Sequence, residues 1–355
     1  MNLLLFNLAT DTEDTIFAFT TAWINQFARH YEYVDVITMR AGRLETADNV
    51  RVFSVGKEKG YSEPKRATHF YSILNRLLRE RRYDACFAHM MPLFAIMGAP
   101  LLAAHHVPIT IWYNHKSRHW TARYGRNIAR RIVTSAPDSF PFPTPKLRVV
   151  GQAADTDFYT PSGSRAGSTI TYVARLSPPK YHETLLRALA ELPDARAILV
   201  GGTPPGQDGT YEQQLHDLTS ELHLEDRIEF AGGQTPDGVR VAYAKAAVSV
   251  NLSPRGLFDK TALEAMSCGI PTIVSNPGFE QALAGRSDLL LMDSETDPRL
   301  LAEKLRGIFA LPVEERERIG LLQRQAVIDH FSLHLLIPRL VSVINTGELP
   351  VVEGN

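Results

Sequence analysis

The sequence predicts an α/β protein made of two doubly wound parallel-sheet units, and three observations carry that prediction. The chain has 355 residues, which exceeds one ordinary domain and fits two of about 150 to 200 residues, each able to bury its own core. Short apolar runs alternate with amphipathic helical patterns, the signature of helix-covered parallel strands. The series stops in the turn-rich stretch TPSGSRAGS and then begins again.

In the first half the strand runs are NLLLFNL (2 to 8), VDVITM (34 to 39), ACFAHM (85 to 90), ITIWYN (109 to 114), IVTSA (132 to 136) and LRVVG (147 to 151), with FTTAWINQFARHY and FYSILNRLLRERRY as helical patterns between them. In the second half they are STITYVAR (168 to 175), RAILVGG (196 to 202), RIEFAGG (227 to 233), VSVNLS (248 to 253), PTIVSN (271 to 276) and LLLMD (289 to 293), spaced by helices such as YHETLLRALAEL and TYEQQLHDLTSELHL. The predicted units are 1–152 and 153–335, with 336–355 a terminal helix and tail that packs back on the first unit. Ligands of doubly wound sheets bind at the carboxyl ends of the strands, so the loops there are the places to search.

Composition excludes several classes. Lysine and arginine (38) balance aspartate and glutamate (39), so no general field recruits nucleic acid. The two cysteines, Cys86 and Cys268, sit among apolar or small residues, which suits a reducing compartment and not a disulfide framework. The start, MNLLLFNLATDTEDT, reads as a core strand and not a signal peptide. No run approaches the roughly 18 apolar residues of a membrane span, and the expected location is the cytoplasm, at its membrane face if the acceptor is lipid-linked.

Loops at the strand ends of the second half carry the candidate chemistry. ARLSPPK places Arg175 and Lys180 in one loop before a helix, where two cations suit a diphosphate or else form a solvated pair. Gly201 and Gly202 in VGGT would let a ligand approach the backbone, and Gly232 sits where a nucleobase could lie, although turn glycines read the same way. A helix beginning near Lys260 in FDKTALEAMSCGIP would offer N–H groups to a phosphate. Glu264, one turn in, can accept from a ribose diol or be an ordinary exposed charge, with Leu263 and Met266 facing the core. Asp259 either caps that helix or meets the ligand.

Arg175, Lys180 and LEAMSCGIP, in that order after GQAADTDFY (151 to 159), resemble the retaining family 4 glycosyltransferases of the GT-B fold, in which two facing Rossmann-like domains hold a nucleotide-sugar. The resemblance covers most of the chain. It implies that Arg175 and Lys180 bind the donor diphosphate as catalytic groups and that Glu264 binds the ribose, with Phe258, Lys260, Thr261, Gly201, Gly202 and Gly232 as further donor contacts. The family pattern is glutamate, seven residues, glutamate. Glu264 matches the second, while the first, which usually holds the donor sugar, falls on Gly256. Asp259 is the nearby carboxylate that would take over.

In the first half, His89 and His115 stand at strand ends and His119 follows. Such histidines orient hydroxyls, move protons or bond to backbone. His115 looks like the family's cleft histidine, expected to act at the reacting centre, and His89 like the histidine of the preceding strand, expected at the acceptor. The family's glycine-rich acceptor loop is replaced by ATDTEDT, whose Thr10 and Asp11 would meet a polar acceptor. Residues 116 to 131, KSRHWTARYGRNIARR, hold seven basic side chains and no acid, with Trp120 and Tyr124 among them. They read as a peripheral contact with an anionic membrane or as a solvated helix whose aromatics enter the core.

The acidic clusters DTD (155 to 157) and ATDTED (9 to 14) are poor ligand sets, so neither a metal nor a cofactor is expected. The expected function is metal-independent, retaining sugar transfer from a nucleoside-diphosphate sugar, UDP in preference to GDP, to a saccharide or lipid-linked acceptor. Gly256 also allows an inactive nucleotide-sugar-binding protein, and the two-domain plan an epimerase or hydrolase. A dinucleotide oxidoreductase is excluded because no G-x-G-x-x-G follows the first strand of either half.

Overall fold

The computed structural model describes residues 1–350 apart from Pro205 and Leu257. The chain forms two compact units, Met1–Gln152 with the chain from Leu333 onward, and Ala153–Ser332. The first is a seven-stranded parallel sheet of β1 (Asn2–Thr10), β2 (Tyr33–Ala41), β3 (Val50–Ser54), β4 (Ala85–His89), β5 (Ile109–Trp112), β6 (Arg131–Thr134) and β7 (Leu147–Val149), in the order β3-β2-β1-β4-β5-β6-β7. Helices α1 (Phe19–Ala28), α2 (Glu63–Glu80), α3 (Pro92–Ala104) and α4 (Trp120–Ile128) cover it. Its central strands are buried on both faces, which is why they read as continuous apolar runs. Phe6, Phe70 and Phe94 anchor one layer, with ring centroids 4.6 to 6.0 Å apart.

The second unit is a five-stranded sheet of β8 (Thr169–Val173), β9 (Arg196–Val200), β10 (Ile228–Gly232), β11 (Val248–Asn251) and β12 (Thr272–Val274), ordered β10-β9-β8-β11-β12. It carries α5 (His182–Ala190), α6 (Thr210–Glu221), α7 (Pro236–Ala244), α8 (Lys260–Ser267), α9 (Ser287–Leu290), α10 (Pro298–Phe309) and α11 (Val313–Phe331). Each sheet reverses its strand order once, between β1 and β4 and between β8 and β11, and these reversals are where doubly wound sheets open a crevice.

Helix α12 (Leu333–Thr346) returns to the first unit. It buries Leu336, Ile337, Leu340, Val343 and Ile344, each burial contributing about 1.5–3 kcal/mol. The Tyr31 hydroxyl donates to Asn345 at 2.9 Å, and Arg131 and Arg148 both bind the Glu348 carboxylate at 2.9 Å.

Two elements differ from the sequence reading. The edge strand β3 was not expected, because Arg51 interrupts its apolar run; that arginine reaches the buried Asp35 at 2.7 Å. LLLMD, expected as a strand, instead finishes α9 and touches the sheet through a single bridge, Leu291 to Val274. A short apolar run has no period that separates a buried strand from a buried helix end.

Candidate active site

Strands β8 and β11 flank the strand-order reversal of the second unit, and the loops after them are fastened to each other. The buried Tyr172 hydroxyl donates to the Lys180 carbonyl at 2.5 Å and accepts from the Leu252 amide at 3.2 Å, so one phenol ties the two loops together. Lys180 then turns its ammonium to Ser253 Oγ at 2.9 Å and to the Asp259 carboxylate. Asp259 Oδ2 also accepts from Ser253 Oγ at 2.9 Å and from Asn251 Nδ2 at 3.4 Å, and that same amide donates to Thr261 Oγ1 at 3.2 Å. Burial works against the Asp259 carboxylate, but the Lys180 charge and the bonds from Lys180, Ser253 and Asn251 outweigh it and hold its pKa below the usual range.

This resolves what Asp259 does within the fold. It occupies the N-cap position of α8 without making a side-chain cap; its Oδ2 is instead turned to Lys180, Ser253 and Asn251. The first-turn amides of α8 thus lack the side-chain acceptor an N-cap aspartate ordinarily supplies, at a helix end whose dipole favours an anion. Position 256 also gains a reason. Gly256 adopts φ +75°, a left-handed conformation that a side chain resists, so a glutamate placed there would be strained in this loop.

Glu264 lies in the middle of α8, only 4% exposed, and Lys260 Nζ meets it at 2.5 Å. Tyr159, Tyr243 and Cys268 lie near it: burial and then the Glu264 charge push both phenols upward, and the same causes push the Cys268 thiol up to about 12. The exposed-charge reading of Glu264 is therefore excluded. Phe258, half-buried, packs its ring against the core on Phe279 and Phe331 at 4.3 and 5.6 Å.

Glycines floor the adjacent strand ends. Gly201 has φ +151°, and a Cβ there would lie 1.9 Å from the Ala174 carbonyl oxygen. Its amide donates to the Gly232 carbonyl at 2.9 Å, and the Gly202 carbonyl accepts from Leu176 at 3.0 Å. Gly232, at φ +66°, has no atom within 4 Å of a built Cβ. The ends of β8, β9 and β10 thus meet without side chains, beside the exposed Arg175. Gly201→Ala is expected to destabilise the protein by about 3 kcal/mol or more through the backbone clash, read as a lowered midpoint in thermal unfolding.

The candidates of the first unit are placed differently. Thr10 is fully buried and exchanges hydrogen bonds with Asn7 at 3.0 and 3.3 Å. Asp11 holds a turn by accepting from the Glu13 and Arg43 amides at 3.0 Å. His89 lies in a box of Phe19, Trp23, Phe87 and Trp112, with centroids 4.8 to 6.2 Å away, and burial lowers its pKa to about 3. Thr10 and His89 are thus buried inside the fold, whereas Asp11 is half-buried at its turn. His115 is exposed; its Nδ1 accepts from the Ser117 amide at 2.8 Å, which leaves the proton of the neutral ring on Nε2. His119 caps α4 by accepting from the Thr121 amide at 3.4 Å. Sequence reasoning missed Asn251, Ser253 and Tyr172, although polar residues alternating at the end of the apolar run VNLS were a readable signal. Among the described residues no group of three His, Cys, Asp or Glu side chains could hold a metal ion.

Residues 164–325, which contain Tyr172, Arg175, Lys180, Ser253, Asp259 and Glu264, match the family model described as glycosyl transferases group 1. The likeness to that family covers this part of the chain. Within it, D-inositol 3-phosphate glycosyltransferase of Mycobacteroides abscessus is 29% identical over 143 residues, covering 38% of this chain and 32% of that protein. Its counterpart in Corynebacterium jeikeium is 30% identical over 178 residues, covering 45% and 42%. The matches thus span well under half the length of these curated relatives. The structure of Anabaena Alr3699/HepE in complex with UDP-glucose matches with a TM-score of 0.76 at 18% identity, over 97% of this chain and 99% of that one. Sucrose-phosphate synthase of Thermosynechococcus elongatus matches with a TM-score of 0.75 at 18% identity, over 96% and 98%. These likenesses show the fold, which is GT-B with two Rossmann-like units, and the group 1 match falls on the unit whose strand ends carry Arg175, Lys180 and Glu264.

Proposed function

We propose that this group 1 glycosyltransferase is a retaining, metal-independent enzyme that moves a sugar from a nucleoside-diphosphate sugar to a saccharide or lipid-linked acceptor. The observation that carries the reading is Lys180, fixed by Ser253 and Asp259 at the strand-order reversal, beside exposed Arg175, the glycine floor and an α8 N-terminus without a side-chain cap. Two cations and a helix dipole there would bind a diphosphate and stabilise the charge that grows on it as the sugar departs. Glu264 would accept from the ribose diol, displacing part of its contact with Lys260. UDP is the favoured nucleotide, supported by the UDP-glucose complex of the Anabaena protein.

In the proposed step the bond from the anomeric carbon to the β-phosphate oxygen breaks. The acceptor oxygen forms its bond on the face the phosphate leaves, and the acceptor proton passes to the departing phosphate. No separate protein base is required, and His115, with its Nε2 proton, would serve as a positioning donor.

The test is a screen of UDP- and GDP-sugars for nucleoside diphosphate release, with and without saccharide and lipid acceptors. Acceptor-dependent release is expected, and Arg175→Ala is expected to lower kcat by about 10²- to 10³-fold. Release without acceptor would favour a hydrolase or epimerase. UDP binding with silence from every donor would favour an inactive binding protein, the reading that glycine at position 256 supports.

A further inference from the structure

Helix α4 is turned the unexpected way round. It buries its small residues, Thr121, Ala122 and Gly125, because it packs closely: a Cβ on Gly125 would lie 3.1 Å from Ile111 and 3.4 Å from Pro92. Its large residues therefore face outward. Trp120, Tyr124 and Ile128 are 51%, 58% and 37% exposed, and their four-residue spacing sets them in one stripe along the helix. Arg123 is exposed on the same helix, while Arg118 and Arg126 stand over the Phe142 ring at 5.3 and 5.8 Å.

The neighbouring helix extends this surface. Helix α3, PLFAIMGAPLLAA, has no charged side chain, packs on α4, and leaves Leu93, Ile96, Met97 and Leu101 half-buried. No aspartate or glutamate occurs from residue 85 to residue 137, so the region from β4 to β6 supplies no acid to neutralise these arginines. Arg130 and Arg131 are held apart from the stripe, on the Thr346 carbonyl and the Glu348 carboxylate. An aromatic stripe with a cationic margin is the arrangement that inserts rings at the headgroup level while arginines meet anionic lipid.

We infer that the outer face of α4, continued by α3, docks this protein on an anionic membrane surface. The charge decides the occupant. A purely apolar protein partner has no use for an acid-free cationic rim, whereas a phosphate-bearing lipid bilayer is complementary to both parts at once. This docking is independent of donor chemistry, so vesicle binding can fail while transfer to a soluble acceptor stands, and the reverse.

The full-length protein is mixed with phosphatidylglycerol/phosphatidylcholine vesicles and with pure phosphatidylcholine vesicles, at low and high salt. Co-sedimentation is expected with the anionic vesicles at low salt and should weaken as salt rises. Trp120 is a built-in reporter, since Trp23 and Trp112 are only 5% and 3% exposed; its emission should shift to the blue on binding. The pairs Trp120→Ala with Tyr124→Ala, and Arg118→Glu with Arg123→Glu, should each lower vesicle partition about tenfold or more. All four side chains are exposed, and unchanged circular dichroism confirms the fold of each variant. The inference is overturned if the wild type ignores anionic vesicles at low salt, if it binds neutral ones equally well, or if either paired variant partitions like the wild type. Self-association that the aromatic pair abolishes, without vesicle binding, would instead assign the stripe to a second copy of the chain.

Discussion

Lys180→Ala should abolish sugar transfer, with a loss in kcat of about 10³-fold or more, and it should also lower stability. The two effects have different origins. The first follows if the ammonium faces the leaving diphosphate, as proposed. The second follows from Asp259, whose side chain is only 20% exposed and which would lose its cation. Breaking a largely buried pair from one side costs on the order of 3 kcal/mol, because a charge is left without compensation. The single variant therefore confounds chemistry with folding.

The cycle of Lys180→Ala, Asp259→Asn and the double variant separates them. Asp259→Asn removes the carboxylate that both holds and neutralises Lys180, so UDP should bind several-fold more tightly to the net cation while kcat falls about tenfold for want of a fixed ammonium. In the double variant no buried charge is stranded. Its unfolding midpoint should recover most of the loss seen in Lys180→Ala, while transfer stays absent. If Lys180→Ala keeps more than a small fraction of wild-type kcat, the diphosphate assignment fails. If the double variant regains activity along with stability, Lys180 acts only through the fold.

The place of Lys180 in a loop after a strand could be read from the sequence, but its partner could not. Its loop is recognisable as a cationic turn after a strand, a local pattern. Asp259 is 79 residues away, and its local context advertised a helix cap, the role that position most often has. Only the parallel pairing of β8 with β11 brings the two loops together and decides the competition for that carboxylate. The same limit explains α4. Apolar periodicity marks which residues share a face, yet whether Trp120 and Tyr124 turn inward depends on the space beneath the helix, and Gly125 shows that there is almost none. Glu264 was legible for the opposite reason: its neighbours Leu263 and Met266 fix the inner face of α8 and carry the carboxylate to its end of the strands.

Acidification should weaken the two units separately, each through one buried histidine. His89 in the first unit and His182 in the second are both lowered to about 3 from an ordinary 6.5. Burial is the main cause for each; at His182 the Lys180 charge adds to it and the Ala174 carbonyl opposes it. The folded units therefore keep these rings neutral between about pH 3 and 6.5, where the unfolded chain protonates them. The unfolded state binds more protons across that window. The stabilisation is complete above about pH 6.5 and is lost as pH falls, at up to about 1.4 kcal/mol per pH unit for each ring. Between pH 7 and pH 5 each unit should lose about 2 kcal/mol, a fall of about 4–8 °C in its own transition. His182 stacks on Tyr172 at 4.7 Å, and neither ring nitrogen makes a well-formed hydrogen bond. Phenylalanine can keep that stack without burying polar atoms, so His182→Phe should be neutral or stabilising at pH 7. Scanning calorimetry at both pH values should show the transition of the second unit becoming nearly insensitive to acid, with that of the first unchanged. His89→Phe should do the converse. If His182→Phe leaves the acid shift of the second unit as large as in the wild type, that shift belongs to other groups that titrate between pH 5 and pH 7.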